Sequence, residues 1–66
     1  MLLVGYTVEA EDGAVGTVDR GTYDGGRLVV RDAYGDLLRL PVDLVQRIDH
    51  RMHTVYLGVS RASVSA

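Results

Sequence analysis

The sequence of 66 residues contains no cysteine, lysine, tryptophan or phenylalanine, and it has a single proline. Without cysteine the chain can form neither a disulfide nor a cysteine-based zinc site, and it is compatible with a reducing cytoplasm. No run of 18 apolar residues is present, which excludes a membrane-spanning helix, and residues 1–4 are too short for the apolar part of an export signal. We therefore expect a cytoplasmic protein without a membrane span.

The charge balance disfavours a general nucleic-acid binder. Seven basic residues, all arginine, stand against nine acidic ones, giving a net charge of −2. Proteins that bind nucleic acid gain affinity by neutralising phosphates, which an acidic chain does poorly. A chain of this length forms one domain, 1–66, and buries only about 60% of its unfolded surface. We expect a core within about residues 4–60, a frayed C-terminal tail, and stability that depends on tight packing or on a partner chain.

The apolar residues indicate an all-β fold. Eleven valines, eight leucines and one isoleucine occur in short runs separated by most of the eight glycines, a pattern typical of strands with tight turns. Strands are predicted at residues 6–10, 15–20, 27–32, 37–40, 46–49 and 54–57. We also predict a hairpin turn at 24–26, a short helical turn at 41–45 and a turn of helix capped by Ser60. Five to six short antiparallel strands in a chain of this length favour a small barrel.

Three residues are predicted to have structural roles. Gly13 follows two acidic residues in a turn, where a positive φ is expected. Gly16 lies between Val15 and Val18, which are three residues apart and cannot both face the core of a regular strand, so Gly16 marks a bulge or bend. Pro41 has no N–H to donate to a neighbouring strand and must lie at a strand end or at a sheet edge.

Several segments together resemble PRC-barrel domains. They are Gly5 to Val18 with its Asp12-Gly13 turn and Val15-Gly16-Thr17-Val18, then Leu40-Pro41-Val42-Asp43-Leu44-Val45, then Ile48-Asp49-His50, Val55-Tyr56-Leu57 and Ser60. The similarity spans about residues 4–60, and the closing segments also resemble small stand-alone relatives of the family. The resemblance implies a small β-barrel like those of the reaction-centre H subunit and the ribosome-maturation factor RimM. In those settings the barrel is an assembly or docking module, and it carries no catalytic residue over to this sequence.

Metal binding and catalysis find little support in the sequence. His50 and His53 are three residues apart, and Asp49 is a third candidate ligand, but zinc sites need three or four ligands in a fixed geometry. A polar turn between two strands explains the histidine pair better.

The candidate acid–base residues lie at or beside solvated turns, where acid–base catalysis is not favoured. They are Glu9, Glu11, Asp12 and Asp24. We predict no catalytic residue, no metal and no cofactor.

A cluster of arginines and tyrosines is the first candidate interaction surface. Arg27, Arg31 and Arg39 are expected to share the outer face of adjacent strands, with Tyr23 and Tyr34 beside them. Small barrels bind RNA in some families, and tyrosines stack on bases. The alternative interpretation is an outer face kept soluble by its charges.

Tyr56 is the second candidate. It alternates with Val55 and Leu57, so it should point away from the interior, near a strand edge, where aromatic residues favour interfaces. Tyr56 lying flat under the C-terminal tail is the other possibility. We expect a non-enzymatic protein-interaction or assembly module that forms a homodimer and binds an unidentified protein. An RNA- or ribosome-associated accessory module is the alternative.

Overall fold

The computed structural model describes residues 3–20 and 26–64, which form six strands and two short helical segments. The strands are β1 (Thr7–Ala10), β2 (Gly13–Val18), β3 (Arg27–Asp32), β4 (Leu37–Pro41), β5 (Val45–Asp49) and β6 (Thr54–Leu57). A 3₁₀ turn (Val42–Leu44) joins β4 to β5, and the helix α1 (Arg61–Val64) follows β6. The prediction of an all-β, barrel-like fold is confirmed. In the described residues no helix has the length and apolar character needed to cross a bilayer.

The six strands form one curled sheet in the order β4-β3-β2-β1-β6-β5. The sheet is a half-barrel, because its two edge strands, β4 and β5, are not paired with each other. The prediction of only antiparallel strands is wrong at one place, since β1 and β6 are parallel, with Val8 opposite Val55. The 3₁₀ turn connects the two edge strands, and β4 and β5 run in the same direction. β6 then runs antiparallel to β5 and meets β1 in the same direction.

The core lies on the concave face of the sheet. Val8 and Ala10 of β1 are both buried, as their alternation predicts, and so are Leu28 and Val30 of β3. The core cluster extends beyond the predicted limits of 4–60 at both ends. It consists of Leu3, Val8, Val18, Leu28, Val30, Leu40, Val55, Leu57 and Val64. Helix α1 therefore contributes a buried side chain, where the sequence suggested a frayed tail.

The strand β2 contains a bulge beside Gly16. Val8 of β1 lies opposite Gly16, but the next residue, Glu9, lies opposite Ala14, so Val15 is the extra residue. The bulge lets Val15 pack against the same core as Val18. A Cβ on Gly16 would lie 2.1 Å from the carbonyl oxygen of Arg31 on β3. Glycine is required there because the neighbouring backbone comes so close.

Candidate interaction surface

The outer face of β3 and β4 brings together the three arginines predicted from the sequence. Arg27 and Arg31 alternate along β3, and Arg39 of β4 lies opposite Val29, the residue between them. Opposite residues in an antiparallel pair point to the same face of the sheet. All three arginines are exposed, whereas Val29 on the same face is buried. Tyr23 lies outside the described residues.

Only two of these arginines are free to meet a partner. The guanidinium of Arg31 forms an ion pair with Asp19 at 2.7 Å and donates to the carbonyl oxygen of Gly35 at 2.9 Å. In the part of the chain that the structure describes, Arg27 and Arg39 form no ion pair. The face therefore offers two unpaired cations.

Hydrogen-bond donors, including those of Arg20 and Arg31, stabilise the charged form of the Asp19 carboxyl. The backbone N–H of Arg20 donates to Asp19 Oδ1 at 2.7 Å, and Arg31 Nε donates to Oδ2 at 3.0 Å. These bonds, that from Arg20 first, lower the pKa of Asp19 below its ordinary value. The Arg31–Asp19 pair is thus a structural link between β3 and the end of β2.

Tyr34 stands out from the turn between β3 and β4. Asp32 Oδ1 accepts the backbone N–H groups of both Tyr34 and Asp36 at 2.9 Å, which fixes the turn, and Gly35 has φ +85°. The Tyr34 side chain is 90% exposed. An aromatic ring this exposed at the end of a hairpin is available for contact with a partner.

A groove of about 440 Å³ opens beside this turn, on the side of the sheet that carries α1. Its lining includes the apolar residues Val15, Leu38 and Val64, together with exposed Asp36 and Arg61. Within the described part of the chain, no histidine and no buried carboxylate lines this groove. What it supplies is an apolar contact surface with charges at its border.

Helix α1 is attached to the turn between β1 and β2. The backbone N–H of Arg61 donates to Asp12 Oδ1 at 2.8 Å, and Arg61 Nε lies 3.6 Å from the same oxygen. The backbone bond from Arg61 lowers the pKa of Asp12 below its ordinary value. The Arg61 side chain also covers Gly13, which has φ +144°. A Cβ at Gly13 would lie 3.4 Å from Arg61 Cζ.

Tyr56 lies on an inner strand, β6, which is next to the edge strand β5 and is not itself an edge. β6 is flanked by β1 and β5, because the parallel β1–β6 pairing places it inside the strand order. Val55 and Leu57 are buried, which leaves Tyr56 on the outer face. There its side chain is half-buried, and the guanidinium of Arg47 lies 4.3 Å from the ring centre. An intramolecular cation–π contact therefore occupies the ring.

The side chains of His50 and His53 both contact Tyr6, which was not identified from the sequence as a candidate residue. Tyr6 Oη lies 3.0 Å from His50 Nδ1, and the ring of Tyr6 is 5.0 Å from the ring of His53. No group of three or more potential metal-ligating residues occurs among residues 3–20 and 26–64. The arrangement is a polar–aromatic cluster that joins the chain before β1 to the turn between β5 and β6.

The two edges of the sheet differ in regularity. On β5 the register shifts between Val45 and Arg47, so Gln46 forms a bulge. Bulges protect sheet edges from pairing with other strands. β4 pairs with β3 at five consecutive residues without a bulge. β4 is therefore the less protected edge.

Backbone hydrogen bonds show which groups of β4 face away from the sheet. The N–H of Asp32 donates to the carbonyl of Asp36 at 2.9 Å, so Arg31 and Leu37 form a non-hydrogen-bonded pair. By alternation, Leu38 and Leu40 bond to β3, whereas the N–H and C=O groups of Leu37 and Arg39 point outward. Pro41 also faces outward, and it presents only a carbonyl. Proline thus occupies a position where its missing N–H leaves the sheet intact.

Leu37 was not identified from the sequence as a contact residue. It is 44% exposed and lies on the outer face opposite Arg31. Leu37 alternates with Arg39 and Pro41, and Pro41 indicates a strand end or edge. Together these two features could have identified Leu37 as an exposed edge residue.

Comparison of the sequence with protein-family models finds no match, and a search of curated proteins also finds no match.

Proposed function

We propose that this protein is a non-enzymatic protein-interaction module that self-associates by adding a strand at the β4 edge. The observation that carries the proposal is the regular, unbulged β4, whose Leu37 and Arg39 backbone groups point away from the sheet. Unpaired strand edges of this kind are templates for another strand. The resemblance to PRC-barrel domains, which serve in assembly, supports the same function.

The side chains of the edge favour a protein partner. Leu37 is 44% exposed, and Leu38, on the other face, is only half-buried. A strand added there would cover both apolar side chains and use the outward backbone groups at once. Arg39 and Pro41 are the protective residues of this edge, and they leave the N–H groups of Leu37 and Arg39 able to pair with another strand.

The carboxyls whose pKa is lowered have local structural roles in this proposal. Among the carboxyls of residues 3–20 and 26–64, Asp12 and Asp19 have a shifted pKa, and both shifts are downward because hydrogen bonds stabilise the charged forms. A general acid at neutral pH needs the opposite shift, which burial produces. These carboxylates act as structural links.

Light scattering after gel filtration at tens of micromolar tests the proposal. The wild-type chain is expected at about twice its 7.2 kDa mass. Arg39→Pro removes an outward N–H without removing a bond to β3, so it should give a folded monomer. Arg39→Thr removes the same charge but keeps the N–H, and it should remain a dimer. A wild-type monomer, or equal dimerisation of the two variants, would contradict the proposal.

RNA binding is the second candidate, and a specific observation favours it. The unpaired cations of Arg27 and Arg39 lie on the hairpin that ends in the 90% exposed Tyr34. Fluorescence anisotropy with a generic RNA at low and moderate salt tests it. A complex that weakens steeply with salt, and that Arg39→Gln weakens more than Arg51→Gln, would support RNA binding. Arg51 is exposed in the turn between β5 and β6, away from this hairpin.

A further inference from the structure

Self-association at β4 could use either edge of a second copy. A β4–β5 contact is head-to-tail, so it leaves edges open and continues into larger assemblies. The bulge at Gln46 also interrupts the hydrogen-bonding groups that β5 would present. A β4–β4 contact uses the same regular surface on both copies and closes as a dimer.

Resting on the proposed function, we infer that the partner strand is β4 of a second copy, antiparallel, with the two-fold axis at Leu38. The antiparallel arrangement keeps the concave faces of both sheets on the same side. Leu38, which is half-buried on that face, then meets the second copy's Leu38 across the axis. The two sheets become one sheet of twelve strands, twice the six of one copy.

The backbone groups and the side chains together favour this register over one with the axis at Arg39. With the axis at Leu38, Leu37 lies opposite the second copy's Arg39, and each residue has an outward N–H and an outward C=O. Both symmetry-related pairs can then exchange two hydrogen bonds, about four in all. With the axis at Arg39, the two arginines would lie directly opposite each other, which like charges disfavour. That register would also pair Leu37 with Pro41, which has no N–H to donate.

The groove beside the turn supports the same geometry. Leu38 lines this groove of about 440 Å³ together with Val15 and Val64. In the proposed dimer the second copy's Leu38 lies beside it and extends the apolar wall. The contact therefore buries apolar surface that a single copy leaves open.

Single-cysteine variants provide the experiment, because the natural chain has no cysteine to interfere. At the axis, the Leu38 pair is non-hydrogen-bonded, with a Cα separation of about 4.5 Å, which a disulfide can span. Under mild oxidation Leu38→Cys should form a cross-linked dimer in high yield. Tyr34→Cys, at a position 90% exposed, is the control for random collisions and should cross-link at least about tenfold more slowly.

A second measurement uses only exposed positions, in case Leu38→Cys does not fold. Leu37→Cys alone and Arg39→Cys alone should each stay uncross-linked, because each faces the other residue type across the interface. An equimolar mixture of the two variants should cross-link between them. Cross-linking of Arg39→Cys by itself would instead put the axis at Arg39 and overturn the register.

Failure of the inference differs from failure of the proposed function. A monomeric wild-type chain, together with no cross-linking of any cysteine variant, would contradict both the proposed function and the inferred register. A dimer that Arg39→Pro dissociates, but that shows neither cross-linking pattern, would keep strand addition at β4 and overturn the symmetric register. A mass that grows steadily with concentration would overturn the closed dimer in favour of a β4–β5 contact.

Discussion

Gly16 of β2 lies directly against the backbone of Arg31 on β3, and a Cβ at Gly16 would be 2.1 Å from the Arg31 carbonyl oxygen. The nearest neighbours are backbone atoms, which cannot move aside as a side chain can. Gly16 also faces Val8 next to the bulge at Val15. This close approach joins β2 and β3 at the point where the sheet bends.

Replacement of Gly16 by valine should therefore destabilise the protein. Overpacking against a fixed backbone costs about 1–3 kcal/mol, which in a chain of this size lowers Tm by roughly 5–20 °C. Ala14→Val, at an exposed position of the same strand, is the matched control and should shift Tm by only a few degrees. Thermal unfolding followed by circular dichroism measures both. Equal Tm values for Gly16→Val and wild type would disprove the close-approach interpretation.

The bond from Arg61 to Asp12 should make the stability of the C-terminal helix depend on pH. The folded pKa of Asp12 is depressed below 3.8, so its contribution is present above that value and is lost as pH falls through the folded pKa. Asp12→Ala should lower Tm at neutral pH and reduce the loss of Tm between about pH 5 and pH 2. Faster amide hydrogen exchange in α1 is the accompanying local signal.

Glu11→Ala is the control for this experiment, because Glu11 is the exposed neighbour of Asp12. Its Tm profile should parallel that of wild type through the acid range. If Asp12→Ala and Glu11→Ala behave alike, the link between Asp12 and α1 does not contribute to stability.

Substitution of Tyr56 should affect stability and leave association unchanged. β6 is an inner strand, and the Tyr56 ring already contacts Arg47 at 4.3 Å. Loss of an exposed cation–π contact costs about 0.5–1 kcal/mol. Tyr56→Ser should thus lower Tm by a few degrees, while light scattering gives the wild-type mass. Dissociation of the dimer by this change would move the interface from the β4 edge to the outer face of β6.

Zinc or nickel in modest excess should not raise Tm. His50 Nδ1 is already within hydrogen-bonding distance of Tyr6 Oη, and two histidines alone do not complete a zinc site. Only binding to the folded state stabilises a protein, so a thermal shift assay detects any native site. A clear increase in Tm that His53→Ala abolishes would establish a metal site at these histidines.

The sequence by itself determined the approximate positions of the strands and the central part of the core. Alternation in β1 and β3 places Val8, Leu28 and Val30 inside, because side chains on a strand point to opposite faces in turn. The two valines three residues apart around Gly16 indicated an irregularity in β2. Pro41 indicated the end or edge of a strand, since it cannot donate to a neighbour. These are local rules, so they can be applied without knowing which strands meet.

The tertiary structure alone decided which residues are neighbours across the sheet. The parallel pairing of β1 with β6 makes β6 an inner strand, and the Tyr56 ring contacts Arg47 of the neighbouring edge strand β5. Contacts such as Asp12 with Arg61, 49 residues apart, depend on how the whole chain closes. The alternation of side chains predicts the same exposure for Arg31 and Arg39. Among the residues that the structure describes, however, Arg31 forms an ion pair, with Asp19, and Arg39 forms none. Strand order and register fix such pairs, and local sequence patterns do not encode them.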